Sequence, residues 1–150
     1  YYSDAACETI NAIYNNSGKV MVVSCENKGA LHDIEDDAIV EVSARITRHG
    51  AEPLAFGHFE PAVRGMVQLM KAMEETIIEA ALTGNYNKAL EAFQINPLVK
   101  HGKCAQDLLD EMLVAHKKYL PQFAEKIAEL EAKGVTVQDE TARKLCEAGL

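Results

Sequence analysis

The chain has 150 residues, 48% of them hydrophobic, enough for one buried core and most simply one domain. A formal net charge of −8 argues against a general nucleic-acid surface, which needs clustered Lys and Arg. No apolar run approaches the length of a membrane span, and no basic-then-apolar signal segment opens the chain.

The first predicted helix starts at Ser3 as N-cap, with Asp4 beside it favoured by the helix dipole. Ala6, Ile10, Ile13 and Tyr14 form its apolar face, and Asn16-Ser17-Gly18 ends it. Lys19 to Cys25 is short, Val-rich and apolar on both faces, which predicts a strand covered on both sides. Glu26 to Gly29 reads as a turn, and His32 to Asp37 as a solvated acidic loop. That loop lacks the ligand alternation and the Gly of a calcium loop.

Ala38 to Thr47 alternates, with Ala38, Val40, Val42, Ala44 and Ile46 facing one way, as in a half-buried strand. His49-Gly50 makes a turn before a short third strand from Glu52 to Phe56. Pro61 opens a long helix that Gly84 and Asn85 close. Its apolar face is Val63, Met66, Val67, Met70, Met73, Ile77, Ala80 and Ala81. A short helix follows, with Tyr86, Ala89, Leu90 and Phe93 as its stripe. The rest of the chain is expected to pack against this pair.

A further helix runs from Lys103 to Lys118, with Leu108, Leu109, Met112, Leu113 and Ala115 inside. Tyr119-Leu120-Pro121 interrupts it, Phe123 to Lys133 forms another helix stopped by Gly134, and 139–148 reads as an amphipathic end. Strands first and helices after them predict an α+β domain.

Little catalytic chemistry is visible in the residues themselves. The scattered Cys7, Cys25, Cys104 and Cys146 form no CxxC pair and read as reduced cytosolic thiols. Among His32, His49, His58, His101 and His116 there is no HxxxH pattern. Cys25 with His32, or His101 with Cys104, supplies only two groups, too few for a metal site. Surface histidines and small buried cysteines are the expected outcome. The sequence has no GxGxxG, no GxSxG and no phosphate loop, and Arg45, Arg48 and Arg64 read as ordinary surface arginines.

Three blocks nevertheless carry a resemblance: YYSDAA at the start, DDAIVEVSARITRHGAEPL, and PAVRGMVQLMKAMEETIIEAALTGNYNKALEAFQINPLV. Together with LLDEMLVAHKKYLPQF they resemble the C-terminal half of a family-4 glycosidase, closest to the 6-phospho-β-glucosidases. The resemblance implies a short N-terminal helix, two or three strands and a C-terminal part dominated by a long helix. That fold is of the lactate-dehydrogenase and family-4 C-terminal-domain type. It implies residues 1–123 as that domain, incomplete on its N-terminal side, and 124–150 as a helical extension.

For the parent enzyme the resemblance implies NAD and a divalent metal, typically Mn²⁺, acting on a phosphorylated disaccharide. NAD takes a hydride from C3, the metal polarises the ketone, a tyrosine removes the C2 proton and the aglycone is eliminated. The family's nucleotide-binding glycines, its metal ligands and its catalytic tyrosine all precede the YYSDAA block. The chain, which opens abruptly on Tyr1, is therefore expected to be a fragment with no catalytic, cofactor or metal residue of its own and no activity alone. Tyr1, Tyr2 and Ser3 are the expected severed edge of the phosphosugar pocket, with a helix N-cap and two core tyrosines as the alternative. Where the family commonly reads VNTRNNG, this chain has Val23-Ser24-Cys25-Glu26-Asn27-Lys28-Gly29, a departure that bears on substrate preference.

The implied partners are the missing nucleotide-binding half and further copies of the chain, in the cytoplasm, with no nucleic acid and no membrane. Alternatives are a 6-phospho-α-glucosidase, a purely structural or oligomerisation domain, and a free-standing small-molecule binder.

Overall fold

The computed structural model describes residues 2–99, 102–138 and 140. Tyr1, His101, Cys146 and the end helix expected at 139–148 lie outside the described residues or extend beyond them. The chain divides into two compact units, Tyr1–Gln68 and Leu69–Leu150. The expectation that everything packs against one helix pair is therefore corrected: each unit has its own core. Among the described residues no helix is long and apolar enough to cross a membrane.

The first unit holds α1 (Tyr2–Asn15), β1 (Val20–Glu26), β2 (Ile39–Thr47), β3 (Gly50–Pro53) and the start of α2 (Pro61–Thr83). The strands form an antiparallel sheet in the order β1-β2-β3. Alternation in β2 places Val40, Val42, Ala44 and Ile46 on the buried face, as the sequence pattern predicts. Val40 and Val42 pack with Leu31, Cys25, Ile34 and Phe59, and α1 packs against β2.

β1 departs from expectation because it is an edge strand with only one covered face. Val20 and Val22 point outward, opposite Arg45 and Ser43, and are 53% and 63% exposed. A Val-rich run cannot by itself distinguish one covered face from two. β3 begins at Gly50 rather than Glu52, because Arg48-His49 is a two-residue hairpin loop and pairing resumes at once with Thr47 opposite Gly50.

In α1, Ser3 lies inside the first turn rather than capping it, since the helix already includes Tyr2. Its buried residue is Ala12, while Ala6, Ile10, Ile13 and Tyr14 are exposed. Only Ala12 turns fully inward, and among the described residues the larger stripe stays exposed.

One side chain organises the loop between β1 and β2. Asn27 is fully buried; its Nδ2 donates to the carbonyls of Leu31 (2.9 Å), Ile34 (2.9 Å) and Glu35 (3.1 Å), and its Oδ1 accepts from the Leu31 N–H at 2.7 Å. A loop of this length folds back because the Asn27 amide satisfies the backbone groups that the sheet leaves over.

The second unit contains the rest of α2, α3 (Tyr86–Ile95), α4 (Lys103–Ala115), two 3-10 turns (Lys117–Tyr119 and Pro121–Phe123) and α5 (Ala124–Ala132). Its core is Ala80, Ala89, Leu109, Leu113, Phe123, Ile127 and Leu130. Val63, Met66 and Ala81 of α2 and Leu108 and Met112 of α4 are exposed rather than inside, since burial there is limited to narrower stripes. Gly84 closes α2 at φ +71°, and Asn85 caps α3 by accepting from the N–H groups of Asn87 and Lys88. The Tyr86 hydroxyl donates to Asp110 at 2.6 Å, and Lys126 sits 4.3 Å from the Tyr86 ring centre. Burial and then the Asp110 hydrogen bond raise the Tyr86 pKa, so its proton is firmly held.

Candidate functional site

A connected group of titratable side chains in the first unit is built from three segments. The loop after Asn27 supplies His32 and Asp33, the stretch after β3 supplies His58 and Phe59, and the first turns of α2 supply Arg64 and Gln68. The Asn27 amide sets the loop, and a Leu31–Gly57 bridge with the His32 N–H donating to the Gly57 carbonyl at 3.0 Å holds the two segments side by side.

Asp33 is the hub. Its Oδ1 is 3.0 Å from His58 Nδ1 and 3.8 Å from Arg64 Nη1, while its Oδ2 accepts from the Phe59 N–H at 2.8 Å. The Gln68 amide donates to the Asp33 carbonyl at 3.0 Å. The His58 hydrogen bond foremost, then the Phe59 N–H and the nearby positive charge, hold the Asp33 carboxyl below the usual carboxylate range. His58 Nε2 in turn faces His32 Nδ1 at 3.3 Å, with the rings edge to face.

This arrangement is a relay of hydrogen bonds rather than a cage, because each group spends its polar atoms on the next. Among the described residues no three His, Cys, Asp or Glu side chains are grouped to hold a metal ion. The donor set present therefore does not fit the Mn²⁺ that the resemblance implies for the parent. The sequence likewise has no Gly-rich phosphate loop to fit NAD. What the cluster can do is order its loop, carry a proton along Asp33, His58 and His32, and anchor the start of α2.

The sequence-predicted site residues are elsewhere. Tyr1 lies outside the described residues; Tyr2 is 96% exposed and Ser3 is exposed, both in the first turn of α1. Cys25 and His32 do not meet: His32 turns to His58, and Cys25 packs with the Leu31, Val40 and Val42 cluster. Cys7, Cys25 and Cys104 are free thiols, and Cys7 and Cys104 are exposed rather than buried. Sequence reasoning missed Asp33, His58 and Arg64 as a unit. Their spacing follows from the length of the strands between them and has no local pattern.

Comparison with known proteins gives the family. The model of the family 4 glycosyl hydrolase C-terminal domain matches residues 2–99. A probable 6-phospho-beta-glucosidase of Bacillus subtilis is 50% identical over 127 residues, 85% of this chain and 29% of that protein. The 6-phospho-beta-glucosidase of Escherichia coli is 42% identical over 131 residues, 87% of this chain and 29% of that protein. The crystal structure of a 6-phospho-alpha-glucosidase from gut microorganisms, in complex with NAD and Mn²⁺, superposes with a TM-score of 0.77 at 28% identity. That match covers 81% of this chain and 28% of that one. The 6-phospho-beta glucosidase of Thermotoga maritima, with NAD and glucose-6-phosphate, gives a TM-score of 0.73 at 28% identity, over 79% of this chain and 29% of that one. The chain thus spans under a third of the length of these relatives. A family model covering most of the chain, joined to relatives at 42% and 50% identity, makes it a member of glycosyl hydrolase family 4, of which it carries the C-terminal domain.

Proposed function

We propose that this chain is the substrate-side and oligomerisation part of a cytoplasmic 6-phospho-β-glucosidase, an enzyme that uses NAD and Mn²⁺ to cleave phosphorylated disaccharides. The single observation that carries the reading is the 50% identity over 85% of the chain to the Bacillus subtilis relative. Relatives named for α-linked substrates reach 32%, which favours the β-linked class.

Neither NAD nor a metal fits the residues described, so no chemical step is assigned to them. Their contribution is to bind, orient and enclose. Tyr2 and Ser3, exposed at the start of α1, are the residues proposed to border the phosphosugar, together with Tyr1. Residues 1–123 act as the family domain, and 124–150 as a helical extension of it. An oligomerisation role is supported by the apolar side chains left in solvent, among them Ile10 (66%), Met66 (63%) and Leu82 (80%).

The test is release of nitrophenol from α- and β-linked 6-phosphoglucosides, with NAD, Mn²⁺ and a reductant present. The isolated chain is expected to be folded by circular dichroism and silent. A chimera in which it replaces the matching residues of the Bacillus subtilis relative is expected to cleave the β-linked compound in preference. Turnover by the isolated chain would overturn the assignment of chemistry to other residues, and a chimera that prefers the α-linked compound would overturn the β assignment.

A further inference from the structure

The His32–His58 contact contains more than an ordinary surface pair. Two imidazoles whose nitrogens face each other at 3.3 Å can share one hydrogen and no more. With His58 Nδ1–H donating to Asp33, His58 Nε2 accepts from a neutral His32; with one added proton, His58 donates in both directions. A second proton puts two N–H groups head to head, and the contact is lost to repulsion between like charges. The His32 backbone is fixed to Gly57, so the ring is what moves.

A destination is already present. His32 also lines an open polar cavity with Asp33, Ile34, Glu35, Asp36, Asp37 and Gln68. Glu35, Asp36 and Asp37 are exposed. The charged groups nearest the pair are Asp33 from the loop, 3.0 Å from His58, and Arg64 from α2, 3.8 Å from that same Asp33 carboxylate. The Lys28 ammonium is paired with Glu26 at 3.2 Å.

We propose that His32 is a proton-driven, two-position side chain: with no or one proton added to the pair it stays on His58, and with the second it turns into the cavity lined by Glu35, Asp36 and Asp37. The device converts a change of pH across the histidine range into a change in the charge and opening of that cavity. It acts within the loop and leaves the sheet in place.

The experiment is NMR on the isotopically labelled chain as pH falls from about 8 to about 5, the interval in which histidine changes charge. The ring-to-ring nuclear Overhauser contact between His32 and His58 is expected to disappear in one step. The carboxyl carbon signals of Glu35, Asp36 and Asp37 are expected to shift in that same step. In the combined variant Glu35→Gln, Asp36→Asn and Asp37→Asn, all at exposed side chains, the step is expected to move to lower pH, because the cavity no longer favours the cation. A contact that persists throughout, or a step that stays in place in the variant, would overturn the proposal. Loss of the Asn27 amide signals together with the contact would do the same, because it would assign the change to unfolding.

Discussion

Replacing Asn27 by Ala tests whether one buried amide holds the β1–β2 loop. The substitution removes the four side-chain hydrogen bonds and orphans the N–H of Leu31, itself 5% exposed, while the Leu31 carbonyl keeps the Ile34 N–H at 3.4 Å. An unpaired buried polar group costs about 1–3 kcal/mol, so the Leu31 N–H alone implies roughly 2 kcal/mol, while the Glu35 carbonyl keeps the Ala38 N–H at 3.2 Å. That is a large fraction of the ~5–15 kcal/mol that stabilises a typical domain. Because the two units have separate cores, the assay is amide hydrogen exchange read separately in the β1–β2 ladder and in α4. The ladder is expected to exchange on the order of 30-fold faster, about tenfold for each 1.4 kcal/mol, with α4 unchanged. Asn27→Asp is expected to be worse at neutral pH, since it aims a carboxylate at three carbonyl oxygens. Its folded-state pKa is raised, so the penalty is full above that value, fades as pH falls from there towards the unfolded value and is gone below it. Ladder exchange accelerated less than about fivefold in Asn27→Ala would refute the argument, since that is only ~1 kcal/mol.

Other predictions fall at separate places. Gly84→Ala puts a Cβ 2.0 Å from the Gln122 carbonyl oxygen at a φ of +71°, and is expected to lose about 3 kcal/mol or more, read as a fall in the thermal midpoint of the helical unit. An unchanged midpoint would mean that the α2–α3 corner is not held against Gln122. Asp33 has a depressed folded pKa, so its stabilising effect is full above its unfolded value and is lost as pH falls through the folded one. Asp33→Asn is therefore expected to weaken the first unit at neutral pH, with the difference from wild type closing in acid; urea titrations at several pH values measure it. Cys7 and Cys104, both exposed, are expected to react with a thiol reagent well before the half-buried Cys25, and mass-mapped labelling reads the order.

The parts of the fold legible in the sequence are those set by short-range periodicity. Alternation from Val40 to Ile46 identified β2 and its inner face, and Gly84-Asn85 marked the corner between α2 and α3. Environments that depend on what lies across from a residue were not legible. Val22 and Ile10 read as buried and are exposed, since an apolar side chain does not carry information about whether a covering surface exists. The Asp33–His58–Arg64 cluster was invisible for a related reason. The acidic run around Asp33 looks like a solvated face until Asn27 folds it against residues beyond the hairpin.

The free edge of β1 determines how this chain behaves in a tube. Among the described residues, a strand reading Val20-Met21-Val22-Val23-Ser24-Cys25 lies at the sheet edge, with no strand paired along its outer side and with Val20 and Val22 bare on its outer face. Lys19 and Glu26, at its two ends, are the only charges that bracket it. Colloidal stability, more than folding, then sets the usable concentration of the isolated chain, with edge-to-edge pairing of copies as the route to precipitation. Val22→Lys, on the outward face opposite Ser43, is the substitution that interrupts this pairing without entering a core.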